Sequence, residues 1–421
     1  MKPLNKTKSI PLRLSCLIVV VAIILGACNN KPGTPKEILP DDEKINVRVT
    51  GSGMDSLKLT GIRQQMEIFV DEEKIAGVVT LVASNGQIVS FEAVGMQDIQ
   101  GRLPMTRNTV FRIASMTKPF VAASIMMLSE EGKLKLDDPV EKFLPEFRNM
   151  WLVSERTDDR AFLIRPARDI TIRDLLTHTS GLSSLPEASL VSSIKEYILK
   201  ISGHPLLFQP GSQWSYSGSG ITAAARIVEV LSGKKYEEFL SERIFIPLGM
   251  KNTIFYSANK SWDIVATLYQ PSDDSSLVTG PEPGWLMGFP RPEGGLLSTA
   301  HDMYIWMQTI LNGGIFNNQR ILTEQSVREM TKVNTGDLQT GFTDGMGFGL
   351  GFGVVRHPSG VTGMLSEGTF GHGGAFGTQY WADPVKNIIY ILMIQRQGFG
   401  NGDASDIRFA FQKIASEAII E

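Results

Sequence analysis

Two β-rich runs, residues 78–83 and 87–94, are split by Asn85-Gly86. Asn-Gly between such runs is a strong hairpin signal, because both central residues of the tight turn that fits twisted strands need positive φ. The chain is thereby committed to antiparallel pairing near its start. Helical spacing precedes the hairpin over 57–70, where Leu59, Ile62, Met66 and Phe69 share one side. Strand character returns at 347–355, 377–382 and 388–395, and an amphipathic helix follows over 403–420 with Ile407, Phe411, Ile414 and Ala418 inward. Residues 130–290 read as helical with long loops; the clearest helix is 221–231, stopped by Ser232-Gly233. This order predicts an α+β fold, an antiparallel sheet flanked by terminal helices with a mostly helical lobe inserted at about 130–290.

Lys2, Lys6, Lys8 and Arg13 precede a nearly unbroken apolar run over 14–25 that ends in Leu25-Gly26-Ala27-Cys28. The pattern predicts a secretory signal over 1–27, too short for a comfortable membrane span. Its ending resembles a bacterial lipobox, with cleavage before Cys28 and lipid attached there. The expectation is an exported protein, lipid-anchored to a bacterial membrane on its periplasmic or cell-surface face. Residues 28–45, polar and proline-bearing, read as a tether, and 46–421 as the folded domain. Of the two cysteines, Cys16 would leave with the signal, so no intrachain disulfide is available and the core must carry the stability. A formal net charge of −3 gives no argument for a nucleic-acid partner.

Three motifs carry chemistry. Ser115-Met116-Thr117-Lys118 places a hydroxyl and an amine three residues apart, on one face of a helix predicted to run from Ser115 to about Gly132. A serine hydroxyl is a poor nucleophile until a neighbouring base takes its proton, and this pair supplies one without histidine. Taken alone, the motif is weak and reads first as a capping serine and a solvated lysine. Trp214-Ser215-Tyr216-Ser217-Gly218-Ser219-Gly220 offers a phenol, which beside a lysine can shuttle protons. Gly371-His372-Gly373-Gly374-Ala375-Phe376-Gly377 offers glycines that let a substrate approach the backbone, where a free N–H can face a developing oxyanion.

In this order and separation, the three motifs resemble the serine β-lactamase and penicillin-binding-protein superfamily, in its class C β-lactamase, esterase and D-stereospecific peptidase branch. Residues 170–182, with Leu175-Leu176-Thr177-His178-Thr179-Ser180-Gly181-Leu182, resemble that branch's "LLTHTSGL". Pro247-Leu248-Gly249-Met250, Gly294-Gly295-Leu296-Leu297-Ser298-Thr299 and Gly349-Leu350-Gly351-Phe352-Gly353 resemble "PLGM", "GGLxST" and "GLGFG". The resemblance implies a β-lactamase/transpeptidase-like fold and an acyl-enzyme on Ser115, with Lys118 and Tyr216 as the proton-shuttling pair. It places the oxyanion hole at the amides of Ser115 and Ala375, with Gly373 and Gly374 beside it, and it implies no metal and no cofactor.

Two positions depart from the pattern. The lactamases read Tyr-x-Asn where this chain has Gly218, which removes a side chain that binds substrate amide and lysine; Ser217 or Ser219 is the nearest replacement. His372 stands where lactamases usually carry lysine, and a histidine of ordinary pKa is mostly neutral at pH 7. The first departure removes an amide contact, the second weakens the anchor for a substrate carboxylate, and both point first to carboxylic ester hydrolysis. β-Lactam hydrolysis or D-amino-acid peptidase chemistry on the same machinery is the alternative, and a non-catalytic binding lipoprotein is the second. The expected partners are a small ester, lactam or D-peptide and the membrane. His178 reads as a loop support, and His204, His301 and His357 as structural. Trp285 and Trp381 are candidates for an acyl pocket, against the simpler reading of core, and the Pro- and Gly-dense 270–295 segment reads as irregular cover over the site mouth.

Overall fold

The computed structural model describes residues 45–185, 191–256, 264–286 and 288–420. The signal, Cys28 and all but the end of the tether fall outside the described residues, as does the side chain of Trp285. Helix α1 (Ser56–Asp71) is capped by the Asp55 carboxylate, which accepts the amides of Leu57 and Lys58, and it buries Leu59, Ile62, Met66 and Phe69 as the spacing predicts. Strands β1 (Gly77–Ser84) and β2 (Gln87–Asp98) pair antiparallel up to Ser84 opposite Gln87. Asn85 and Gly86 turn the chain at φ 52° and 76°, the two positive values that the Asn-Gly signal calls for.

A short β3 (Leu103–Pro104) extends the hairpin, and five later strands complete the sheet: β4 (Met346–Phe348), β5 (Gly353–Val355), β6 (Phe370–Gly373), β7 (Gln379–Asp383) and β8 (Ile388–Ile394). Their order is β4-β5-β6-β7-β8-β1-β2-β3, with every neighbouring pair antiparallel. The first strand thus lies beside the last, Leu81 opposite Ile391. The run at 347–355 is two strands rather than one. Gly349 N–H closes a turn on Phe352 O at 2.8 Å, and Gly351 takes φ 73°, a bend that an apolar, glycine-rich run conceals in sequence.

The pleat sorts side chains into two layers. On β8, Ile388, Tyr390, Leu392 and Ile394 face α1 and the last helix, α5 (Asp406–Glu417), joining Ile62, Met66, Ile407 and Phe411. Ile389, Ile391 and Met393 face the other way, toward Phe120 and Ala123 of α2 (Lys118–Glu130) and Trp306 of α4 (Ala300–Leu311). Within α5, Ala415 is buried and Ile414 only half-buried, one position off the predicted stripe. Helix α2 is buried from Lys118 through Leu128, so it is a central element packed on all sides.

The inserted lobe holds helices Ile172–Leu176, Ile194–Ile201, α3 (Gly218–Ser232) and Tyr236–Leu240. Gly233 ends α3 at φ 70°, as its sequence signal predicts. The lobe also carries two hairpins absent from the sequence reading, Leu152–Arg156 with Ala161–Ile164 and Tyr269–Pro271 with Leu277–Thr279. The second corrects the expectation that 270–295 is wholly irregular. With Ile391 fully buried between layers, Ile391→Ala is expected to lose about 2–5 kcal/mol in denaturant unfolding, and Val385→Ala, 73% exposed, less than about 0.5 kcal/mol.

Candidate active site

Ser115 sits in a 3-10 turn, Ala114–Thr117, that feeds directly into α2. Ala114 is buried at φ 46°, a left-handed conformation that a non-glycine residue holds only when its surroundings impose it. They do so from three sides. Ile113 N–H bonds Leu296 O at 3.0 Å and Leu296 N–H bonds Thr117 Oγ1 at 3.3 Å, tying the turn to the Gly-Gly-Leu-Leu-Ser-Thr segment. Tyr380 Oη on β7 donates to Met116 O at 2.8 Å. Thr378 Oγ1 donates to Ile113 O at 3.3 Å. The result is a half-buried hydroxyl at the head of a fully buried helix.

Lys118 is 2% exposed, and its Nζ donates to Ser115 Oγ at 2.9 Å and to Glu293 O at 2.6 Å. Burial strips water from the ammonium and pushes its pKa down to about 7, with the Glu293 charge pulling upward. The same Nζ lies 4.7 Å from the Tyr216 ring centre. Burial raises the Tyr216 phenol above its ordinary value, with a hydrogen bond to Ser115 opposing, so the phenol keeps its proton at neutral pH. His372 Nδ1 is 2.6 Å from Gly373 O and so carries the proton, which leaves Nε2 to accept from Tyr216 Oη at 3.5 Å. Burial, with the Lys118 charge, pushes His372 down to about 4, so the ring is neutral.

His178 does not touch Ser115 among the described contacts. It takes φ 61°, its carbonyl accepts Ser215 N–H at 2.9 Å, and its ring lies 4.5 Å from that of Tyr216. It supports the loop that presents the phenol. The turn Gly374–Gly377 closes with Gly374 N–H on Thr378 O at 2.7 Å and Gly377 N–H on Gly374 O at 3.0 Å. A Cβ on Gly374 would come within 2.1 Å of Thr378 Oγ1 and 2.5 Å of Ile113 O, so only glycine lets this turn lie against the segment leading to Ser115. The exposed Ala375 amide has no acceptor among the described residues. Ser115, Tyr216, His372, Gly373, Gly374 and Ala375 line one open cleft of about 370 Å³, with Phe342 and Phe399 as apolar walls and Asp403 as an acidic one.

Residues 62–414 match the family model described as Beta-lactamase. The chain belongs to the β-lactamase family. It is 32% identical over 365 residues to an uncharacterized protein of Mycobacterium tuberculosis, covering 80% of this chain and 90% of that one. A Salmonella typhimurium protein whose name assigns it provisionally as a D-alanyl-D-alanine carboxypeptidase is 29% identical over 322 residues, 69% of this chain and 70% of that one. Among solved structures, EstCE1, a hydrolase with promiscuous acyltransferase activity, superposes with TM-score 0.70 at 24% identity, over 87% of this chain and 98% of its own. The β-lactamase/transpeptidase-like fold is therefore established, and this is a serine β-lactamase-family hydrolase.

Against the family's pattern, Gly218 is the first residue of α3, and neither neighbouring serine replaces the missing side chain. Ser217 caps the helix by accepting Gly220 N–H at 3.3 Å, and the buried Ser219 Oγ pairs with Tyr197 Oη at 2.9 Å. Trp381 is core on the terminal-helix face of β7, its Nε1 donating to Gln379 Oε1 at 2.9 Å. Sequence reasoning passed over Glu293 as an individual residue, its signals being adjacency to Gly294-Gly295 and a place within the 270–295 segment read as cover over the site mouth. It also passed over Phe342, Phe399 and Asp403, which reach the cleft through tertiary structure alone. With Lys118 near neutrality, labelling of Ser115 by a phosphonate probe is expected to rise about tenfold per pH unit below about 7 and to level above it. A flat profile from about pH 5 to 9 would remove Lys118 from control of the serine.

Proposed function

We propose that the chain is a carboxylic ester hydrolase working through an acyl-enzyme on Ser115. The neutral Lys118 amine takes the Ser115 proton as Oγ bonds the ester carbonyl carbon. The amides of Ser115 and Ala375 hold the oxyanion. Collapse of the adduct breaks the bond to the leaving oxygen, which receives the proton from Lys118 through the Tyr216 hydroxyl. Water then repeats the sequence on the acyl group and restores Ser115. Of the two candidate bases, Lys118 is favoured, because burial moves its pKa toward the working pH while it moves the phenol's away.

The observation that carries ester over lactam or D-peptide is the charge of the cleft. Its lining includes no lysine or arginine among the described residues, its histidine is neutral, and Asp403 stands on its wall. A substrate carboxylate would meet an acidic surface without a cation, whereas an uncharged ester finds Phe342 and Phe399. The relative named as a D-alanyl-D-alanine carboxypeptidase supports amide chemistry as the second reading. Ser115→Ala is expected to abolish cleavage of a short-chain nitrophenyl ester with the fold retained, and the unaltered protein to cleave that ester much faster than a chromogenic cephalosporin. Dominant lactam turnover would reverse the preference, and full activity without Ser115 would end the acyl-enzyme reading.

Exported, lipid-anchored placement is the companion proposal, resting on the lipobox-like Leu25-Gly26-Ala27-Cys28. Cys28→Ala is expected to release the protein from membrane fractions; retention to the same degree would refute the anchor.

A further inference from the structure

Gly218 leaves α3 without a side chain where the family's lactamases place asparagine, and the space is filled from elsewhere in the chain. A Cβ on Gly218 would lie 3.2 Å from Glu293 Cγ and 3.6 Å from Glu293 Cβ. The carboxylate is fixed in that pose. Thr222 Oγ1, one turn along α3, shares its proton between Gly218 O at 3.0 Å and Glu293 Oε2 at 3.1 Å, and Arg291 Nη1 stands 3.5 Å from Oε1. The side chain is 17% exposed, and the backbone carbonyl of the same residue accepts from Lys118 Nζ at 2.6 Å.

We propose that Glu293 is a positioning residue that takes over the role left vacant at Gly218, its backbone carbonyl holding the Lys118 amine and its carboxylate serving as that amine's counter-charge. A side chain at 218 would crowd Glu293, whose Cγ must give way by a few tenths of an ångström to admit it, so an asparagine there would displace the carboxylate while Glu293 O keeps its contact with Lys118. The inference rests on Ser115 and Lys118 acting as proposed above.

The other groups around Lys118 do not supply this charge. Ser115 Oγ and the Tyr216 ring are uncharged contacts. His372 and His178 are held neutral by burial, each with the Lys118 charge acting against its protonation. Asp403 acts on His372 and Tyr216. Glu293 is the carboxylate whose charge acts on Lys118. Removing it while keeping its shape therefore lowers the amine's affinity for a proton, and the acid limb of the activity profile moves to lower pH.

The test is the pH dependence of kcat/KM on a nitrophenyl ester for the unaltered protein, Glu293→Gln, Glu293→Ala, Gly218→Asn and Gly218→Asn with Glu293→Ala, beside Ser115→Ala. Glu293→Gln is expected to shift the acid limb down by about 0.5–1 pH unit, with KM changed less than about twofold. Gly218→Asn alone is expected to lose about tenfold in kcat, and adding Glu293→Ala to recover at least about fivefold of that loss. A limb unmoved in Glu293→Gln, or additive losses in the double variant, would overturn the proposal. If Gly218→Asn does not fold, the Glu293→Gln limb decides by itself. Activity surviving in Ser115→Ala would instead sink the underlying acyl-enzyme reading, whereas an inactive Ser115→Ala with unmoved Glu293 variants would sink this inference alone.

Discussion

The structure turns on one amine taken out of water. Lys118 sits in the first turn of a helix buried on every side, and a charged ammonium there would carry a desolvation cost of several kcal/mol. The site lowers that cost by letting the amine become neutral near pH 7 and by satisfying it through Ser115 Oγ and Glu293 O. The same burial that makes the charge expensive makes the neutral amine available as a base. A more exposed α2 would return Lys118 to an ordinary ammonium and, on the mechanism proposed above, leave Ser115 without an acceptor for its proton.

That burial is possible because the sheet is covered on both faces. β7 and β8 alternate between the terminal helices and the helix that follows Ser115, so α2 lies in an apolar layer between the sheet and the lobe. Ser115 emerges at the edge of this layer, where the turn after β6, the first turn of α3 and the segment around Glu293 and Leu296 meet. The N-terminal ends of α2 and α3 both open there. Their partial positive charge disfavours an ammonium and favours an oxyanion, which reinforces the effect of desolvation.

Charge at the mouth separates this chain from what its motifs alone suggest. A neutral His372, a missing side chain at Gly218 and a carboxylate at Asp403 go with a cleft of apolar walls that no lysine or arginine lines among the described residues. Asp403 is locked rather than mobile, with Oδ1 accepting Gln379 Nε2 at 2.8 Å and its carbonyl accepting Arg408 Nη1 at 2.7 Å. The acidic wall is thus built into the junction of β7 and α5.

By itself the sequence located most of the elements and singled out Ser115 as the candidate nucleophile. Periodicity located α1, α3 and α5, Asn85-Gly86 located the first hairpin, and Ser115, Lys118 and Tyr216 stood out together through the resemblance of their motifs to the β-lactamase family. Local signals carry that far because helix stripes, turns and helix stops depend on neighbours in sequence. The bend at 349–352, the two lobe hairpins, the use of Ser217 and Ser219 as cap and buried partner, and the arrival of Glu293, Phe342 and Asp403 at the cleft were decided by tertiary structure. Each depends on contacts between segments far apart in the chain, and the electrostatics of Lys118 and His372 follow from burial, which no local pattern encodes.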